Sequence, residues 1–347
     1  MSLRSAERAR TPATMRVPPS RGTRSALALA AGVCTILVLA LVVVFAPQVM
    51  PTDVPHRLQD GVTLALSVLV ESMPFVALGV VLSIVVQVWV PPGAIERWMP
   101  RRAWARRATL SLLGMLVPVC ECGNVPFARG LLMRGFSVPE TLTFLVAAPI
   151  VNPIVIITTH QAFGFSDGIL VARLLGGYAV ANLIGWLYSR HPSPDALLTD
   201  RFREACAFPP EVDGGKGRRS LAQFIVEFRA VMPALVIGSA LAGAVQVLVP
   251  RDALLAIGSN PVLSIVAMMA LAMVMSICSN VDAFFALSFA STFTSGSIVA
   301  FLVTGPLVDV KMIALLRTTF TTRALVGIVV IVVLFAFALG AGVNLLV

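Results

Sequence analysis

From Ser25 to Pro47 the chain carries no charged side chain, and stretches of similar length and character recur at 61–90, 138–160, 168–188, 221–249, 296–316 and 324–346. A bilayer hydrocarbon core about 30 Å thick takes about 20 apolar residues of helix, because an α-helix rises only about 1.5 Å per residue. These runs therefore dictate an all-α, polytopic membrane protein. A composition that is 58% hydrophobic and 12% charged points the same way, away from soluble domains. The first run is too long for a signal-peptide core and no small-x-small cleavage site follows it. It is expected to stay as an anchor, 25–47, behind a basic tail, 1–24.

Two further apolar stretches, 109–134 and 262–292, are interrupted near their middles, at Cys120-Glu121-Cys122-Gly123-Asn124 and at Cys278-Ser279-Asn280. The pieces are too short to cross a bilayer singly, and broken helices persist in lipid only where protein or a wet cavity satisfies the freed backbone. Lysine and arginine accumulate on cytoplasmic loops. Reading both stretches as re-entrant places most of the 26 Lys and Arg inside: the tail, the 92–108 loop, Arg129, Arg134, the 189–220 segment, Arg317 and Arg323. The expected topology has about seven spans and two re-entrant hairpins, with a cytoplasmic N-terminus. The segment 189–220, rich in Pro, Gly and charges of both signs, reads as a solvated linker.

The net charge of +9 does not signal nucleic acid, because the cations sit at segment ends, where lipid headgroups account for them. The cysteines, Cys34, Cys120, Cys122, Cys206 and Cys278, are too few and too embedded in apolar sequence for a disulfide framework.

The chain also repeats itself. Met73-Pro74 and Gln87-Val-Trp-Val-Pro91 return as Met232-Pro233 and Gln246-Val-Leu-Val-Pro250, both at a spacing of 159 residues. Cys120 followed by Asn124 parallels Cys278 followed by Asn280, and Phe144 to Asn152 parallels Phe301 to Asp309. With the charge pattern above, the two copies, 60–188 and 221–347, start on opposite sides of the membrane. Inverted repeats with discontinuous helices characterise secondary transporters, whose solute site lies near the midplane where the broken elements meet.

Candidate binding residues follow from those breaks. Asn124 is a good N-cap and Pro126 suits a first helical turn, which predicts a half-helix starting there with its positive dipole end at mid-membrane. Asn280, with Asp282 in the next turn, fits the same pattern. If the two starts approach each other, Cys120, Cys122 and Cys278 share a point, and thiolates favour soft, thiophilic species. Pro149, Asn152 and Pro153 interrupt one span, and Pro306 with Asp309 forms the counterpart, each freeing carbonyls for a solute. Ionisable groups inside a membrane are costly and functional by default. That singles out Glu71, Glu121, Asp282 and Lys311 for ion coupling or charge pairing, with Asp309 and Arg173. Asp309 and Lys311 are two apart and would not face each other on a helix, so Lys311 is expected to neutralise a carboxylate of another segment. Glu227 and Arg229 are expected at the interface, as are His56, His160 and His191.

The stretch Val117-Pro-Val-Cys-Glu-Cys-Gly-Asn-Val-Pro126, followed by Phe144 to Pro153 and the duplicated second half, resembles the predicted-permease family of the ArsP and YraQ type. The resemblance runs from about residue 60 to the end of the chain and implies a plasma-membrane permease, with efflux of trivalent organoarsenicals by its best described members. It implies that Cys120 and Cys122 are the family's thiol pair, and that Pro149, Asn152 and Pro153 are its proline motif. Glu121 departs from it, standing where a small residue is more usual, and Asn124 stands in place of an apolar one. The carboxylate between the thiols favours a cationic or protonatable substrate.

No nucleotide, zincin or serine-hydrolase motif occurs and no Cys or His spacing completes a zinc site. No enzyme activity, cofactor or resident metal is expected; the partners are a small-molecule substrate and the lipid bilayer, with a homo-oligomer as a further option. The leading expectation is an ion-coupled permease for a small thiophilic solute. A permease for a sulfur-containing or other small anion, a membrane thiol oxidoreductase using Cys120 and Cys122, and a scaffold subunit are the alternatives.

Overall fold

Asn152 stops one helix and starts the next, and Asp309 starts a helix directly after Val308 has closed another. A computed structural model describes residues 56–91, 93–117, 119–165, 168–207, 215–248 and 260–346, all within one compact unit, Met50–Val347. The expected tail, 1–24, and anchor, 25–47, with Cys34, lie outside the described residues.

The elements run α1 (His56–Ile84), continued by a π-helical turn Val85–Trp89, α2 (Ala94–Trp98), α3 (Ala103–Leu112), α4 (Glu121–Met133), α5 (Val138–Val151), α6 (Pro153–Phe163) and α7 (Ile169–Tyr188). After a 3-10 turn at Pro194–Leu197 come α8 (Asp200–Ala207), α9 (Lys216–Leu248), α10 (Pro261–Met275), α11 (Asp282–Leu287), α12 (Ser295–Leu307), α13 (Val310–Leu316) and α14 (Thr322–Leu346). There is no sheet among the described residues, only an isolated bridge between Leu198 and Phe320. Among the described residues six stretches are long and apolar enough to cross a membrane: Leu58–Trp89, Val138–Phe163, Ile169–Tyr188, Lys216–Leu248, Ser295–Leu316 and Thr322–Leu346. The chain is an all-α, multi-pass membrane protein.

Burial sorts these stretches. Val138–Phe163 and Ser295–Leu316 are 72% and 83% buried, whereas Leu58–Trp89, Lys216–Leu248 and Thr322–Leu346 are 39%, 39% and 33% buried. A helix apolar all round and covered on every side belongs at the centre of a bundle. The outer helices present apolar side chains such as Leu78, Ile237 and Leu334 outward, as lipid contact requires. α5 packs on α7 and α3, and α12 packs on α14 and α10; α4 meets α13, and α11 meets α6; α1 and α9 lie against each other.

Local chemistry sets the helix limits. Ser137 and Glu140 form a capping box at the start of α5. Asn260 caps α10 and Thr294 caps α12 through their side-chain oxygens. Asn152 accepts the Ile154 N–H, and Pro153 stands at the first position of α6, where its missing N–H costs nothing. Asp309 caps α13 by accepting the Met312 N–H. Ser276, just past α10, holds φ 47°, the single non-glycine residue with positive φ among those described.

Two of the expected helix starts move. α4 begins at Glu121 with Cys120 in the capping position, so Asn124 lies inside the helix and Pro126 beyond its first turn. The physical reason is that the Cys120 carbonyl already accepts the Gly123 and Asn124 N–H groups, at 3.1 and 3.2 Å. Glu121 then sets its negative charge at the helix's positive end. Likewise Val281, not Asn280, precedes α11, because the Cys278 carbonyl accepts the Val281 and Asp282 N–H groups. The connecting segment is also docked in part. Leu197, Leu198 and Phe202 are buried; Thr199 N–H donates to the Thr319 carbonyl at 2.9 Å, and Thr321 N–H to that of Leu197 at 2.8 Å.

Candidate functional site

Glu121 is the first residue of α4, and its fully buried carboxylate gathers groups from the far end of the chain. Lys311 Nζ, on α13, donates to Oε1 at 3.3 Å. Ser279 Oγ and Ser279 N–H donate to Oε2 at 2.8 and 3.4 Å, and the Cys278 thiol lies 4.0 Å from it. The Cys122 thiol lies 3.9 Å from Oε1 and donates to Ser72 Oγ on α1 at 3.6 Å. Cys120 Sγ, a Glu121 carboxylate oxygen and Cys278 Sγ all fall within 4.8 Å of one another, with every one of the three residues buried. All three thiols named from the sequence thus border Glu121 or each other.

The backbone allows this because α4 presses against α1. A Cβ on Gly79 would strike the Gly123 carbonyl, and one on Gly123 would strike the Phe75 carbonyl and Val119. Small residues that let backbones touch are how helices associate in lipid. The extended turn before α4 is held from the other side, where Asn152 Nδ2 donates to the Val119 carbonyl at 2.9 Å. Both polar atoms of the Asn152 amide are therefore engaged in holding backbone, which makes it a positioning residue in this conformation.

A second buried pair mirrors the first. Asp282, the first residue of α11, takes both Arg173 terminal nitrogens, at 3.0 and 2.6 Å, and Thr159 accepts from the same guanidinium at 2.7 Å. In each case the carboxylate opens a short helix and the cation comes from the other half of the chain. Glu71 is not part of either pair and stays exposed on α1.

Glu227 contradicts the interfacial expectation. It is fully buried and accepts from Arg129 Nε at 2.9 Å, while Arg129 Nη1 donates to Thr318 O and Thr319 Oγ1, both at 3.2 Å, and its guanidinium stacks 4.3 Å from the Phe202 ring. A residue near the end of an apolar run looks interfacial in sequence; here Arg129, itself stacked on Phe202 of the docked α8, lies against it. Arg229, on the next part of α9, is exposed as expected.

Several buried polar atoms have no partner. Among them are both amide atoms of Asn124, Asp309 Oδ2, Thr304 Oγ1, Ser276 Oγ and Asn280 Oδ1, with others, such as Arg173 Nε and Glu227 Oε1, at the ion pairs. A lost partner costs about 1–3 kcal/mol per group, so such atoms in a native fold mark places where water or a solute completes the bonding. Ser276, Ser279, Thr304 and the Arg129–Glu227 pair carried no sequence signal, since serine and threonine are ordinary in apolar helices. Pairing across the chain has no local signature.

Apolar helices wrapped around two broken ones, with thiols and ion pairs buried where the breaks meet, define a membrane transport protein. The chain belongs to the ArsP-type predicted permease family, whose model matches residues 57–345, as the Cys120 to Pro126 motif implied. It is similar to the UPF0718 protein YcgR of Bacillus subtilis (strain 168), at 37% identity over 78% of this chain and 92% of the relative. It is also similar to a Streptococcus mutans serotype c protein provisionally named a subunit of a two-component membrane permease complex, at 31% identity over 82% of this chain and 97% of the relative. No solved structure matches it significantly.

Proposed function

We propose that this permease moves a small thiophilic solute across the plasma membrane, with Cys120, Cys122 and Cys278 as its binding groups. The carrying observation is the buried approach of Cys120 Sγ, Cys278 Sγ and the Glu121 carboxylate within 4.8 Å of one another. Soft thiols grouped in a low-dielectric site favour soft partners. Efflux, and a trivalent organoarsenical as the type of solute, rest on the family resemblance alone. Asn124 and Asp309, with unpartnered buried oxygens, line up as further solute contacts.

Transport is secondary and ion-coupled in this reading, through two inverted halves with the N-terminus in the cytoplasm. The matched packing of α3, α5 and α7 with that of α10, α12 and α14 supports the duplication, as does the exchange of half-helix carboxylates and cations between halves. Uptake of trivalent methylarsenite from the medium into everted vesicles tests the thiol mechanism. Wild-type flux is expected to exceed that of a Cys120→Ser, Cys122→Ser double variant; equal flux in both rejects it.

The provisional name of the Streptococcus mutans relative favours one addition, a second protein as partner in a permease complex. A stoichiometric partner copurifying from gently solubilised membranes of the native host supports that addition; the chain purifying alone from them counts against it.

A further inference from the structure

The geometry points to a divalent thiophilic cation of the zinc or cadmium class as the solute held at the α4 start, with Cys120, Cys278 and Glu121 as its three ligands. The inference rests on the thiol-site reading above and goes beyond it by giving the carboxylate a bond to the cargo. Two sulfurs and one carboxylate oxygen, mutually within 4.8 Å and all buried, match the mixed donor set that borderline d10 cations accept.

Charge selects the valence. The Lys311 ammonium sits against Glu121 at 3.3 Å, both side chains nearly inaccessible, so any net charge left in the cluster is paid at low dielectric. Two thiolates and one carboxylate, against that ammonium and a divalent cation, sum to zero, and the buried Asp309 carboxylate two residues before Lys311 adds a negative charge that favours a higher cation charge further. A monovalent cation would leave the cluster negative. Loading forms two metal–sulfur bonds, breaks the two S–H bonds and releases both protons to water, with nothing oxidised or reduced.

The number of donors suits a cargo. A closed structural zinc site has four protein ligands, whereas three leave a coordination position open for exchange. A carried ion must bind well enough to enter and loosely enough to leave. Cys122, 3.9 Å from Glu121 Oε1 but turned to Ser72, stands beside the tripod. An organoarsenical with one arsenic–carbon bond is saturated by two thiols and leaves Glu121 without a bond, so the carboxylate separates the two kinds of solute.

The full chain purified in detergent is titrated with Cd2+, read by the thiolate-to-cadmium charge-transfer absorbance, and with phenylarsine oxide, a dithiol reagent. Wild type is expected to bind one Cd2+ per chain and phenylarsine oxide in competition with it. The charge-neutral double variant Glu121→Gln, Lys311→Met is expected to lose Cd2+ affinity by at least about tenfold, since even outer partners of a metal ligand cost that much, while keeping phenylarsine oxide. Glu121→Asp keeps the charge, retracts the carboxylate and is expected to separate the two probes in the same direction, which preserves the readout if the double variant fails to fold. Undiminished Cd2+ binding in these variants overturns the inference, as does a wild type that binds only phenylarsine oxide; the latter leaves the thiol-site reading standing. A wild type that binds neither probe ends both.

Discussion

Glu121 and Lys311, 190 positions apart in the chain, meet at 3.3 Å in the buried centre of the bundle. Arg173 and Asp282, 109 positions apart, make the corresponding contact with the halves exchanged. Each pair neutralises a carboxylate at the first residue of a short helix, where the helix dipole also favours negative charge.

Removing one member of such a pair strands the other. Glu121→Gln or Lys311→Met alone is expected to lower stability by about 3–5 kcal/mol, and the double variant to recover most of that loss. Thermal unfolding in detergent, followed by size-exclusion fluorescence, completes the cycle. Additive losses would show that the two charges do not depend on each other.

Gly123→Ala and Gly79→Ala place a methyl group against backbone carbonyls across the α1–α4 contact, where no side chain can rotate away. Both are expected to cut the yield of monodisperse protein sharply. Gly342→Ala has nothing within 4 Å of the added carbon and Gly305→Ala only Ala272 at 3.7 Å, so these controls should behave as wild type. Purification yields of the four variants side by side decide it.

Asn152→Asp keeps an acceptor for the Ile154 N–H and loses the donor to the Val119 carbonyl. Leaving that carbonyl unpaired costs about 1–3 kcal/mol and frees the turn leading to Cys120. Weaker phenylarsine oxide binding with the helix content unchanged by circular dichroism is the expected result. Binding equal to wild type would mean that Val119 is not what positions the thiol.

Cys206 on α8 reports on the docked segment. Burial pushes its thiol pKa up, and the nearby Arg129 pulls it back only in part. Because the folded value is raised, the stability it contributes is complete below the ordinary thiol range and is lost as pH rises through the raised value. Phe202→Ala removes the ring from Arg129 and is expected to undock α8, so maleimide should label Cys206 several-fold faster at neutral pH. An unchanged rate across pH 7–9 would show that Phe202 does not hold the segment.

Much of the helical layout can be read in the residues. The apolar runs predicted at 61–90, 138–160, 168–188, 221–249, 296–316 and 324–346 coincide with the six membrane-length stretches, because run length is a direct record of bilayer thickness. The break near Cys120 was visible in Cys-Glu-Cys-Gly-Asn. Its exact start was not: Asn124 and Asn280 have capping chemistry, but the backbone carbonyls of Cys120 and Cys278 took the N–H groups first. Lys311 was expected to find a carboxylate on another segment, and which one the residues did not say.

The amino-acid sequence alone determined that this chain lives in lipid, that its helices break at thiol-bearing and proline-bearing points, and to which family it belongs. All three are local properties, carried by hydrophobic run length, by residues that forbid helix, and by a contiguous motif. Only the tertiary structure decided that Glu121 joins Lys311, that Asp282 joins Arg173, that Glu227 is buried under Arg129, and that Cys120 and Cys278 stand over one carboxylate. Those partners are brought together by helix packing, and a Coulomb contact across 98 to 190 residues leaves no mark on the chain at either end.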